Sequence, residues 1–252
     1  MIFLKNGILR KSTAVLAAVV VTAACSAGAF ADDGAARYDA DQAGVQASAA
    51  REWTDYMDHW ARDYIDYVTE RGYMTSTGGY FAPDEPMTRA MFVQALAAMA
   101  GVTDSECAVW GVQPDEPYEP DVNVLIQTFS DVDADAPYAK AAAWAVDKGI
   151  VNGLGDGTFG PYAIIDRQTM AVMMHRTTDA LDIEINEDWS AIMDYNDLDQ
   201  VSDWAIEGIA YCSMTGLMRG NDDGNFAPKR TLTRAECAAV LVRLAEHMGK
   251  QV

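Results

Sequence analysis

Apolar residues recur along this chain at helical spacing, in pairs of segments that repeat three times. Phe92, Leu96 and Met99 form one stripe, Met170, Met174, Thr177 and Leu181 a second, and Cys237, Leu241, Leu244 and Met248 a third. Steps of four, three and four place each set on one helical face. Each stripe is preceded by another helical segment, predicted over 51–71, 137–148 and 201–214. In the first of these, Trp53, Met57, Trp60, Tyr64 and Val68 line one face. No single pair carries enough apolar surface to stand alone, so the stripes must meet in one shared core. Three pairs over about 200 residues suffice for a core of ordinary domain size.

Between the two helices of a pair lies a loop with its own repeating grammar. The third copy runs from Gly216 through Gly220, Asp223-Gly224, Phe226 and Pro228 to Thr233, Arg234, Ala235 and Glu236. The second runs from Gly149 through Gly153, Asp156-Gly157, Phe159 and Pro161 to Asp166, Arg167, Gln168 and Thr169; the first from Gly72 through Gly79, Phe81 and Pro83 to Thr88, Arg89, Ala90 and Met91. The spacing from lead Gly to Arg is 17, 18 and 18 residues, a register that chance does not keep. Asp-Gly pairs supply left-handed turn backbone, and the prolines keep the next segment extended. Thr233 and Glu236 spell a capping box, so a helix starts there. Helices start likewise at Thr88 and Asp166, where Met91 and Thr169 cannot complete the box. Repeats two and three share an opening signal, Phe129-Ser130-Asp131-Val132 and Tyr195-Asn196-Asp197-Leu198.

The first helical residue after each loop is arginine: Arg89, Arg167 and Arg234. Beside free helix-start amides and the positive end of the dipole, a guanidinium suits a carboxylate or phosphate. Solvation or a neighbouring acid explains any one of them equally well; recurrence in three copies favours binding.

The Gly-led, Asp-Gly-Thr-Phe-x-Pro-like loop running into Thr-Arg-Ala-Glu resembles the S-layer homology repeat, over roughly residues 53–249. The resemblance implies an all-α fold of three helix-loop-helix repeats, packed as a pseudo-trimer around one core. It implies grooves that hold a pyruvylated secondary cell-wall polysaccharide, with Arg234, and also Arg89 and Arg167, on the ligand. Thr233 and Glu236 complete that motif in repeat three, while Met91, Gln168 and Thr169 depart from it. Gly153, Gly157, Gly220 and Gly224 would let a sugar approach the backbone. Trp60 and Trp204, both 12 residues before their lead Gly, are candidate sugar platforms, although at helical spacing core is the commoner role.

Residues 1–31 read as a secretory signal peptide, with Lys5, Arg10 and Lys11 before an apolar run and Ala29-Phe30-Ala31 at the cleavage point. The run is too short for a comfortable membrane span. Lipidation at Cys25 is the rival reading, weakened by Thr22 where such a site prefers Leu. Residues 32–50 read as a flexible leader. Without residues 1–31 the chain keeps 15 basic residues against 38 acids, a net charge of −23. That excludes general nucleic-acid binding. It also repels an anionic polymer at range, so such a ligand must be held by contacts within about 8 Å at physiological salt.

The repeats span 51–104, 127–192 and 193–252, separated by an acidic, proline-rich insertion at 105–126 that reads as an exposed loop holding Trp110. Cys212 and Cys237 fall where other repeats place apolar groups and read as buried thiols, a bridge between them being the alternative. With Cys107 the count is odd, which does not suit a disulfide framework. No cofactor, metal or catalytic constellation is expected: His59, His175 and His247 lack ligand spacing, and the Asp222-Asp223-Gly224 loop fails the EF-hand pattern. The expected function is therefore a secreted, wall- or S-layer-associated, non-catalytic module binding polysaccharide at its helix starts. The alternative is a protein-interaction scaffold with degenerate grooves whose partner meets the insertion.

Overall fold

Each stripe becomes a helix whose start is fixed by a side chain. The computed structural model describes residues 54–75, 80–102, 120–185 and 194–249. The expected signal peptide and leader, Trp53, Gly79 and residues 103–119, with Cys107 and Trp110, lie outside them. The helices are α1 (Arg62–Glu70), α2 (Arg89–Met99), α3 (Val122–Thr128), α4 (Ala139–Asp147), α5 (Arg167–Ala180), α6 (Ile206–Met214) and α7 (Arg234–His247). Among the described residues there is no strand, only three isolated bridges, and the fold is all-α. Thr88 and Asp166 cap α2 and α5 by accepting from Met91 N and Thr169 N. Thr233 and Glu236 make the complete capping box at the start of α7.

Two expectations need correcting. The first helix of repeat one does not run from 51: a 3-10 turn at Thr54–Tyr56 gives way to irregular backbone, and α1 begins only at Arg62. The apolar face predicted there is consequently split. Val68 is buried, but Met57 and Trp60 lie outside the helix and are 43% and 62% exposed. The end of the insertion is also not loop. Asp121 accepts from Asn123 N and starts α3, which buries Leu125 and packs on α4.

The helices pair across repeats rather than within them. The first helix of repeat two, α4, packs on α2 of repeat one; α6 packs on α5; and α1 packs on α7, joining the first repeat to the last. The loops meet in the same cyclic order. Met87 N donates to Leu232 O at 2.9 Å, Leu232 N to Ile165 O at 3.3 Å, and Ile165 N to Met87 O at 3.0 Å. These three residues hold matching places in the repeats, and all are at most 1% exposed. Their hydrogen bonds close a ring inside the shared core.

Phe92, Met170 and Cys237 are each fully buried, as the stripes require. Cys212 and Cys237 are free thiols and form no bridge; burial pushes both pKa values up, and Cys212 Sγ donates to Ala171 O at 3.4 Å. Trp144 is 1% exposed and belongs to the core.

Because α1 has its main partner in α7, the first two repeats are not a smaller version of the fold. Deleting residues 234–252 should abolish the cooperative thermal transition followed by circular dichroism; a truncated chain that still melts cooperatively would contradict the cyclic pairing.

Candidate functional site

The loop is shaped by a clamp that the sequence did not reveal. Asp197 Oδ1 accepts from Phe226 N at 2.8 Å and its Oδ2 from Ala227 N at 2.7 Å. Asp131 does the same for Phe159 N and Gly160 N, and Asp55 for Phe81 N and Ala82 N. The aspartates of the two opening signals, and Asp55 in repeat one, therefore each hold the Phe-x pair of their own loop. At x the chain turns left-handed, with φ of 55° at Ala82, 71° at Gly160 and 56° at Ala227. Two of these are not glycine, and the clamp offsets the strain. Each clamped phenylalanine is fully buried.

Among the described residues none of the three arginines pairs with an acid in a salt bridge. Each crosses to the loop of another repeat: Arg89 Nε donates to Phe159 O at 3.0 Å, Arg167 Nε to Phe226 O at 2.7 Å and Arg234 Nε to Phe81 O at 2.7 Å. Each guanidinium also lies over the ring of that phenylalanine, at 5.2, 4.8 and 4.7 Å respectively. Arg89 and Arg234 are buried and Arg167 half-buried, and desolvation lowers all three pKa values without threatening the charge.

The helix-start amides, expected to be free, are taken. Arg89 N and Ala90 N donate to Ala163 O and Pro161 O, Arg167 N and Gln168 N to Arg230 O and Pro228 O, and Arg234 N and Ala235 N to Glu85 O and Pro83 O. The third amide of each helix goes to its cap. Carbonyls from a distant loop thus fill the donors that a bound anion would otherwise use.

The other candidates divide. Glu236 accepts from both Arg230 terminal nitrogens, at 2.7 and 3.1 Å, and from Thr233 N, so it is engaged inside its own repeat. A Cβ on Gly153 would stand 2.4 Å from Phe129 Cε1, and one on Gly220 2.6 Å from Tyr195 Cε1. Those glycines make room for the ring of the opening signal. Gly224 faces Asn196 Nδ2, while Gly157 faces open space with φ of 84°. Trp60 and Trp204 point outward, Trp204 at 57% exposure. Tyr162, which sequence reasoning passed over, is 76% exposed beside the start of α2. Among the described residues no group of three His, Cys, Asp or Glu could hold a metal ion, and no helix is long and apolar enough to cross a membrane.

Comparison with known proteins identifies the repeats. The S-layer homology domain pattern matches residues 54–91, 128–171 and 194–238, half of the chain in all. The chain belongs to the S-layer homology family. It is 28% identical over 200 residues to an amylopullulanase of Thermoanaerobacterium thermosulfurigenes, covering 79% of this chain and 10% of that protein. It is 26% identical over 209 residues to an S-layer protein of Bacillus thuringiensis subsp. finitimus, 82% of this chain and 23% of the relative. It is 32% identical over 180 residues to cell surface glycoprotein 1 of Acetivibrio thermocellus, 70% of this chain and 7% of the relative. The chain therefore spans less than a quarter of the length of each of these relatives.

The clamp and the strained residue give opposite expectations. Asp197→Ala leaves the buried Phe226 amide without an acceptor and should cost about 3 kcal/mol of unfolding free energy. Ala227→Gly relieves the left-handed alanine and should add about 0.5–1 kcal/mol. Urea denaturation reads both; a neutral Asp197→Ala or a destabilising Ala227→Gly would refute the account.

Proposed function

We propose that this chain is a non-catalytic cell-wall anchoring module. It binds an acidic, pyruvylated secondary cell-wall polysaccharide in the grooves between the helix start of one repeat and the loop of the next. The observation that carries the reading is the three-fold recurrence of an arginine that bridges a helix start and the loop of another repeat, Arg89, Arg167 and Arg234, with exposed rings of Trp60, Trp204 and Tyr162 on the surface. Guanidinium and aromatic faces together suit an acidic sugar. Membership of the S-layer homology family and relatives named as S-layer and cell-surface proteins support a place at the cell surface.

The taken amides favour a second reading. If the grooves serve only to join repeats, the ring is a scaffold and its ligand is a protein meeting the 105–126 insertion. Substituting Arg234 cannot separate the two, because Arg234→Ala also removes the bonds to Phe81 O and Thr75 O that join repeats three and one.

The separating experiment is sedimentation of the purified chain with cell-wall sacculi, intact and after acid removal of the non-peptidoglycan polymer. The anchoring reading expects at least about tenfold more bound protein on intact sacculi, as for a site built on charge-assisted bonds. Equal binding to both, or to neither, would sink it.

A further inference from the structure

The cyclic pairing gathers three helix ends as well as three helix starts. The C-terminal ends of α2, α5 and α7 frame a cavity of about 350 Å³, at the other end of these helices from the exchange of amides and carbonyls. Met99, Leu181, Ile183 and Met248 give it apolar walls, and Asp182, Glu184 and His247 stand exposed on its lining. Its volume falls within the range of pockets that hold a ligand group.

The charge around this cavity is one-sided. Each helix turns the negative end of its dipole towards it, roughly half an elementary charge within the last turn. Among the described residues neither Asp182 nor Glu184 has a salt-bridge partner, and His247 is the one base on the lining. Asp182 also departs from the other two repeats. The residue after each helix cap is left-handed, with φ of 79° at Gly101, 68° at Gly249 and 50° at Asp182. Glycine is the ordinary choice at such a position, so Asp182 adds a rim charge that the backbone does not need.

The chain supplies little to answer that charge. Residues 103–119, which follow Val102, carry five acids and no Lys or Arg; residues 186–193, which follow Ile185, carry two acids and neither base. Like charge disfavours both as occupants. Lys250, next after Gly249, is the exception.

We propose that this cavity docks a basic, aliphatic segment of a partner protein. A lysine or arginine of the partner lays its alkyl stem against Met99 and Met248, and its charge meets Asp182, Glu184 and the helix ends. The surface is separate from the helix starts and does not depend on the polysaccharide reading. A wall ligand and a protein partner would then engage opposite ends of the same three helices.

The test is a titration of the full chain, isotope-labelled at its methionine methyls, with the peptide acetyl-Leu-Lys-Leu-Lys-Leu-amide, followed by NMR. Met99 and Met248 report on the cavity, while Met87 and Met218, which do not line it, serve as references. The peptide should shift the two reporters saturably and leave the references in place. Glutamine in place of its lysines should weaken binding about fivefold, the scale of two exposed charge pairs, and glutamate should abolish it. Asp182→Gly gives α5 the cap residue that α2 and α7 already have, so its fold is secure; combined with Glu184→Gln it should weaken the lysine peptide by the same factor. Silent reporters, equal affinity for the glutamine peptide, or undiminished binding by the double variant would each overturn the proposal. So would binding that appears only after Lys250→Ala, since the chain's own tail would then be the occupant. Wall polymer is absent from the titration, so this proposal and the anchoring reading fail separately.

Discussion

The structure depends on one exchange: every second-helix start gives its first two amides to carbonyls from the loop of a different repeat. Helix ends ordinarily leave such donors to solvent or to caps. Here the cap takes only the third amide, and the distant loop takes the rest. The loop must therefore hold its carbonyls in place. It does so through the aspartate clamp, the left-handed residue after phenylalanine, and the arginine that returns a hydrogen bond to that phenylalanine's carbonyl. Arg167 is both the residue whose amide is served and the side chain that steadies the serving loop.

Much of this arrangement was legible in the order of residues. The helical stripes, the caps at Thr88, Asp166 and Thr233, and the burial of Cys212 and Cys237 follow from local spacing and from comparing one repeat with another. What escaped is long-range. Nothing near Arg234 says that Pro83 and Glu85, some 150 residues earlier, will occupy its helix start. The arginines could be picked out as special, but not that they face inward over Phe81, Phe159 and Phe226. Asp131 and Asp197 were visible as a shared signal without a role, because their partners lie 28 and 29 residues away.

The errors have the same origin. Met57 and Trp60 keep helical spacing with Val68, yet the helix begins after them, so periodicity outran the structure. The residues after Pro120 looked like the tail of a loop because prolines dominate the segment before it, while Asp121 quietly supplies a cap. For the glycines, sequence could say that Gly153 and Gly220 need bare backbone but not what would stand against them, which proves to be Phe129 and Tyr195.

The ring formed by Met87, Ile165 and Leu232 has a consequence for how many repeats such a chain can hold. In an open solenoid the last unit always offers an unsatisfied face, and terminal units must be specialised to cover it. In the ring each residue spends its one donor and accepts once, so three members leave no edge for a fourth. The assembly terminates itself. A further copy inserted in the chain would have to break an existing bond to enter, or else remain outside as a separate body.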